Sequence, residues 1–566
     1  MYTLEKVKNE IVEKLNKKFG EKSVQVSDIV YPPDVIIGDL SLPCFGLSKK
    51  LSKAPAEVAC MVVSTVKPEG LIKGIKAVGP YANFTLNKQE LAKGAISEIN
   101  KQGGKYGSNK IGRSKRVMLE FSNGNTHKEL HVGHLRNICL GDSLTKILEA
   151  NGFESIPVSY INDFGIHVAK TIWALQEFYK DEQLPENRGC FLGKIYVRAC
   201  QELEKDSAGK ATVNFIMKKI EERRGGEYKL WQETRKWSIE QFDKIYKDLG
   251  VDFQYTFYEN EVIDKGKKVS AKLLKSGILE KSDGAVIANL EKYNLGVLVF
   301  FRSDGTATYP VADLALAEEK FKKFKIDKSI YIVDVRQALY FKQLFKILEL
   351  MGYKKEMIHL GYEFLKLPTG MMSSRTGQVI TFEELRDQIF AKAQEETKAR
   401  HQEWDEEKIN EVARILALGA MKFEMIKVGA DQVITFDIEQ ALSFSGFTAA
   451  YLQYTYARLD SIIRKAGEIK NKVEYSLLTE NKENEIVMML AKFPETIMRA
   501  GKEYNPSEIA KYLFELAQMT NDYYHQIPVM KAEEDIKQAR LSLISSVNQV
   551  IESGLEMLGV EILKEM

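Results

Sequence analysis

The segment richest in chemistry runs from Glu120 to Asn137 and reads EFSNGNTHKELHVGHLRN. His131 and His134 are three apart, with Gly133 between them. That spacing puts both rings on one face at the start of a helix. Gly133 removes a side chain, which lets a nucleotide approach the backbone. Two imidazole donors beside a helix N-terminus suit a triphosphate whose α-phosphorus is under attack. Histidine pairs on helices also hold metals or face solvent. A metal is the poorer reading, because no third ligand completes an H-E-x-x-H spacing.

A phosphate cradle of this kind needs a strand before it and a helix after it. The apolar run VMLEF (117–121) supplies the strand, and a helical pattern from about Val132 stops at Gly152. SIPVSYI (155–161) reads as a second strand, followed by a helix over 166–178. Residues 180–255 are charged and helical in pattern. Strand–helix alternation resumes with VLVFF (297–301), a helix over 310–322, IYIVDV (330–335), a helix over 338–351 ending at Gly352, and MIHLGYEF (357–364). This order indicates a parallel sheet covered on both faces, with 180–255 inserted between its halves. From about 385 onward the pattern is helical throughout. Residues 1–110 open with an amphipathic helix (Leu4, Val7, Ile11, Val12, Leu15) and end in the cationic, glycine-rich KQGGKYGSNKIGRSK. Three units follow: 1–110, 111–385 and 386–566.

Composition narrows the class. The 566 residues are 44% hydrophobic and 28% charged, which excludes a disordered chain. Lys and Arg (81) nearly balance Asp and Glu (79), which excludes a strongly basic tail but not a basic face. The five cysteines (Cys44, Cys60, Cys139, Cys190, Cys200) form no C-x-x-C pair. That argues against a disulfide framework or thiolate zinc, and for a reducing cytoplasm. No apolar run reaches the ~18 residues of a membrane span, and the N-terminal helix, with acidic residues between its apolar positions, suits neither a signal nor a transit peptide.

HVGH resembles the signature of class I aminoacyl-tRNA synthetases and their nucleotidyltransferase relatives. The longer string resembles arginyl-tRNA synthetases. So do GDLSLPCFGLSK (38–49), GPYANFTL (79–86), INDFGIHVAK (161–170), WQETRKWS (231–238), YPVADLA (309–315), RQALYFKQLF (336–345), LPTGMMSSRTG (367–377) and YLQYTYARL (451–459). The match spans nearly the whole chain in the family's order. It implies an α/β fold: a doubly wound, Rossmann-like catalytic domain of the HIGH type, an α+β N-terminal domain, and an all-α C-terminal anticodon-binding domain. It also implies ATP-dependent formation of arginyl-adenylate and transfer of arginine to the terminal adenosine of tRNA(Arg).

Site residues follow from the same resemblance. Asn125, His131, Gly133 and His134 would meet ATP, together with Met372, Ser373 and Ser374. Those three lie in the stretch matching the family's K-M-S-K-S loop. Both lysine positions are lost there, to Met371 and Ser374, while Arg375 remains and Gly370 and Gly377 flank the stretch. Lys128, three residues before His131, would supply the compensating charge; otherwise it is a solvated loop residue. Arginine would be held by Glu120, Ser122, Asn125, Glu259, Tyr309, Asp313 and Gln337. Asp313 lies four residues after Tyr309, on the same helical face, among apolar Val311, Leu314 and Leu316. A guanidinium presents a planar fork that suits paired carboxylates and an aromatic face. An ammonium does not fill that geometry, so no editing domain is needed, and 180–255 is too small for one.

Tyr451, Tyr454, Tyr456, Arg458 and Arg464 combine rings and cations as an anticodon-binding surface does, though the same spacing builds a helix with aromatic core residues. Some of these tyrosines are expected in the core and some on RNA. Asn83 and Phe84 either contact tRNA bases or end a strand. Mg²⁺ is expected on the ATP phosphates, with no tightly bound protein-ligated metal, and the chain is expected to be a monomer that meets no membrane. Three rivals stand beside this reading: a class I synthetase for another amino acid, a non-catalytic RNA-binding paralogue suggested by the altered Met371–Arg375 stretch, and a small-metabolite adenylyltransferase.

Overall fold

Val117, Met118 and Leu119 are successive and all fully buried. Alternate side chains of a strand point to opposite faces, so this strand has a core on each side. Val117 and Leu119 join one apolar cluster, and Met118 joins another. The structure, a computed structural model, describes residues 1–34, 36–180, 182–205, 207–366, 380–470 and 472–566, except the side chain of Ser207.

Arg116–Glu120 is the central strand of a five-stranded sheet. Glu154–Ile161 and Tyr255–Tyr258 extend the sheet on one side, and Lys328–Asp334 and Glu356–Tyr362 on the other. All neighbours run parallel. The chain leaves the central strand in one direction and returns on its other flank. The switch point therefore lies between Arg116–Glu120 and Lys328–Asp334, with Glu120 in register with Tyr331. In doubly wound sheets, ligands bind outside the strand ends at that point.

Two expectations need correction. VLVFF is not in the parallel sheet: Val297–Phe301 closes a separate antiparallel sheet with Glu280–Ser282 and Ala285–Asn289. Val297 and Val299 are partly exposed, so this is a one-faced strand, which an unbroken apolar run does not reveal. The strand taking its place is Tyr255–Tyr258, four residues at the sheet edge, where no strand was expected. The helical C-terminal region also holds a two-residue strand, Ile434–Thr435, which pairs with Leu365–Lys366.

The other units behave as their patterns dictate. Helices Arg188–Lys205, Ser207–Glu221 and Gly225–Asp248 fill the inserted region. The N-terminal residues form a three-stranded antiparallel sheet with helices, including Thr3–Phe19. Among the described residues, six long helices follow Thr381, from Phe382–Arg400 to Glu534–Met557. Among the described residues, no helix is long and apolar enough to cross a membrane.

One buried side chain joins these parts. Arg136, 1% exposed, sits on helix Val132–Ala150 and donates to the carbonyls of Glu363 (2.6 Å), Gly429 (3.1 Å) and Ala430 (3.3 Å). It ties the signature helix to the small Leu365–Lys366 and Ile434–Thr435 ladder beyond the sheet.

Candidate active site

His131 is the N-cap of helix Val132–Ala150. Its Nδ1 accepts from the Gly133 N–H at 3.0 Å, and the Nδ1 of His134 accepts from the His131 N–H at 3.2 Å. A neutral imidazole that accepts at Nδ1 carries its proton on Nε2. The two rings, 4.0 Å apart, therefore each keep an Nε2–H donor for a ligand. Burial, reinforced by the charge on Lys128, pushes His131 down to about 4. Burial first, then His131 and Lys128, hold His134 well below the usual histidine range. Both are neutral donors at physiological pH. Gly133 has a different reason from the one its spacing suggested. A Cβ there would lie 2.8 Å from the His131 ring, so the glycine makes room for the capping histidine.

The segment before the cap is held on two sides. Leu130 and Val132 exchange backbone hydrogen bonds with Phe382 and Ile380, and His131 bridges Thr381. From the inserted helices, the Tyr196 ring lies 4.7 Å from the Lys128 ammonium, and Gly193 leaves space for Glu129. His127, missed by motif reading, is fully buried between Thr126 and Thr234, with its N–H on Ser238. Met371, Met372, Ser373, Ser374 and Arg375 lie outside the described residues, as do Gly370 and Gly377.

Beside this cradle, at the switch point, is a cavity of about 320 Å³. Glu120, Asn125, Tyr309, Asp313 and Gln337 line it, as do Tyr160, Lys320 and Tyr340. Tyr309 stands at the mouth, 67% exposed. Burial pushes Asp313 up to about 7; a hydrogen bond from Tyr340 opposes that, Glu120 adds to it and Lys320 counters it. Glu259 begins helix Glu259–Lys275 and is 8% exposed. Its Oε2 has no hydrogen-bond partner among the described residues. Burial first, then Asp313 and Asp163, hold its acid well above the usual range. Asp313 and Glu120 line the cavity, whereas Glu259 is coupled electrostatically to Asp313 but is absent from the lining, so the buried Asp313 is the carboxylate that most directly suits a bound cation.

Two further placements differ from expectation. The Ser122 hydroxyl pairs with the Tyr246 hydroxyl at 2.7 Å, and Ser122 is absent from the cavity lining. Glu120 is not free for a ligand alone: the fully buried Lys320 pairs with it and lies over the Tyr331 ring at 4.5 Å. Asp163, in INDFG, serves as an internal brace. It pairs with Arg235 at 2.5 Å and accepts from the Asn260 N–H at 3.0 Å, which fixes the start of the helix carrying Glu259.

At the chain ends the aromatics separate. Tyr456 is buried and Tyr451 half-buried, its hydroxyl accepting from Asn521 at 3.0 Å. Tyr454 is 38% exposed, Arg458 lies 4.9 Å from the Tyr524 ring, and Arg464 pairs with Asp460. Phe84 is wholly buried in strand Tyr81–Leu86 and Asn83 nearly so, which favours their strand role.

Comparison with known proteins bears on this geometry. The family model for the class I (R) tRNA synthetase catalytic domain matches residues 95–435. The arginyl-tRNA synthetase N-terminal domain matches 5–86, and the DALR anticodon-binding domain matches 452–566. The chain is 34% identical to an arginine–tRNA ligase of Bdellovibrio bacteriovorus, over 98% of this chain and 97% of that one. The chain belongs to the arginyl-tRNA synthetases. It is also 34% identical to the Clostridium acetobutylicum enzyme, over 99% of this chain and all of the other. The Thermus thermophilus arginyl-tRNA synthetase structure covers 99% of each chain at 27% identity with a TM-score of 0.84. This synthetase is therefore an arginine–tRNA ligase of class I, with a parallel-sheet catalytic domain and a helical anticodon-binding domain.

Proposed function

We propose that the cavity beside Glu120 takes L-arginine and that the His131–His134 cradle takes the phosphates of ATP. The carrying observation is the buried Asp313, which lines a cavity one loop away from two neutral, capped histidines. An arginine carboxylate oxygen would attack the α-phosphorus, and pyrophosphate would leave. The ribose hydroxyl of the terminal adenosine of tRNA(Arg) would then attack the adenylate carbonyl, releasing AMP. The side chains do no covalent chemistry; they align the substrates and stabilise charge. Tyr309, Asp313, Glu259 and Gln337 would hold the guanidinium end, and Glu120 and Asn125 the amino end. Ser122 acts there through its neighbours, as a brace on Tyr246. Lys128, with Arg375, would offset charge on the departing pyrophosphate.

Mg²⁺ would enter on the phosphates. Among the described residues no three His, Cys, Asp or Glu side chains converge to hold a metal, and magnesium characteristically keeps phosphate and water ligands. In the helical domain, exposed Tyr454 and half-buried Arg458 are the candidates for anticodon contact, with half-buried Tyr451 beside them. We read the synthetase as a cytoplasmic monomer.

Pyrophosphate exchange with each amino acid, with and without tRNA(Arg), tests the reading. Exchange should occur with arginine alone. Exchange with another amino acid, or none under either condition, would overturn it. Lys128→Gln should lower the kcat of arginine-dependent exchange about 100-fold with little change in arginine KM. A wild-type kcat in that variant would return Lys128 to the role of a loop residue.

A further inference from the structure

Tyr340 has no part in the roles assigned so far, yet it lines the cavity and its hydroxyl donates to Oδ2 of Asp313. The two side chains come from different helices, Ala338–Leu350 and Tyr309–Phe324. Tyr340 is anchored from behind: its ring meets Phe341 edge-on at 5.4 Å, and Phe341 stacks on His359 at 4.7 Å. Gln337, also lining the cavity, precedes it by three residues at the same helix start.

We infer that Tyr340 is a positioning residue for arginine selection, committing one oxygen of Asp313 to the protein and turning the other toward the substrate. This rests on the reading of the cavity as the arginine pocket. The chemistry of the donor decides the role. Carboxylates in a buried cluster need hydrogen bonds, and a lysine or arginine partner would supply them. Such a partner would also cancel the charge that the substrate cation must meet. Glu120 is in that position, because Lys320 pairs with it. A phenol hydroxyl holds Asp313 without neutralising it. Asp313 keeps its charge for the ligand and loses its rotational freedom beforehand, which is preorganisation.

Among the described residues, the groups facing Asp313 come from several elements. Glu120 comes from the central strand, and Lys320 and Tyr309 from its own helix. Tyr331 and Tyr160 come from the neighbouring strands, and Glu259, coupled to Asp313 from outside the lining, comes from helix Glu259–Lys275. Burial and Glu120 favour the protonated acid, and the Tyr340 hydroxyl opposes them. Removing that hydroxyl should move arginine capture to higher pH, a change that mere packing would not produce.

The test uses the full-length enzyme with ATP, arginine and tRNA(Arg). Tyr340→Phe keeps the ring and its packing. Its kcat/KM for arginine should fall about tenfold, mainly through KM, while ATP KM stays put. The acid limb of the arginine kcat/KM profile should move up by roughly one pH unit. Tyr340→His, which keeps a ring and an N–H donor, should recover part of the loss. A Tyr340→Phe enzyme with the wild-type limb and arginine KM would overturn the inference, as would equal losses for arginine and ATP. Asp313→Asn in parallel separates the two levels. If Asp313→Asn loses arginine use while Tyr340→Phe behaves as wild type, only the positioning role falls. If Asp313→Asn still uses arginine normally, the pocket reading itself fails.

Discussion

Asp313→Asn should lower kcat/KM for arginine by about 10³- to 10⁴-fold while leaving ATP binding within about twofold. Asparagine has nearly the same volume and can still accept from Tyr340, so what changes is the charge. A buried site built to receive a cation then offers a neutral amide, and the guanidinium loses its desolvated partner. Unchanged arginine KM and kcat would remove Asp313 from the pocket. The pH dependence supplies a second reading of the same group. Burial raises Asp313 from 3.8 to about 7. The free enzyme's kcat/KM for arginine should therefore level off above about pH 7 and fall tenfold per unit below it, because the cation binds the ionised form. Glu259, raised by burial and then by Asp313 itself, is coupled to it, so the acid limb belongs to the pair rather than to Asp313 alone. The effect on folding has the opposite sign. An acid whose folded pKa is raised binds its proton more tightly when folded, so stability falls as pH rises from about 4 through 7. Asp313→Asn should accordingly unfold at a higher temperature than wild type at pH 8, losing function while gaining stability.

The phosphate side of this site was legible because its geometry is local. His131, Gly133 and His134 lie within one turn, and an N-cap with its first helical residues has only one arrangement. Tyr309 and Asp313 were legible for the same reason, four apart on one helix. What sequence spacing does not carry is the partner from another element. Lys320 lies seven residues after Asp313, two turns along the same face, and that spacing could have marked it. Its pairing with Glu120, however, depends on strand Arg116–Glu120 lying against that helix. Tyr340 needed the register between two helices, and the Ser122–Tyr246 bond spans 124 residues. The sheet was misread for a related reason. VLVFF carries a strong apolar signal and Tyr255–Tyr258 a weak one, but sheet membership is set by pairing, which composition does not encode. Phe84 shows the reverse: an aromatic in a motif drew attention as a possible RNA contact, but its hydrophobic area is spent in the N-terminal core.

His131→Asn separates the two tasks of the signature histidine. The ring now does both, accepting the Gly133 N–H at Nδ1 and presenting Nε2–H outward. Asparagine is among the strongest N-cap residues, so its side-chain oxygen can take over the cap and the fold should keep its stability. It is too short to present a donor where Nε2 stands. The rate of arginine-dependent pyrophosphate exchange should then drop about 100- to 1,000-fold, the cost of losing one preorganised donor to developing charge. His131→Ala should show the same rate loss and, in addition, lower stability by about 1 kcal/mol through the missing cap. Because burial keeps His131 near 4 and His134 well below the usual histidine range, neither should contribute an inflection to exchange near neutral pH. Asp313, raised by burial to about 7, should supply an inflection in that range, and Glu129, raised likewise to about 7, is the second group there. Full exchange activity in a stable His131→Asn enzyme would reduce the histidine to a helix cap and move the phosphate-stabilising role elsewhere.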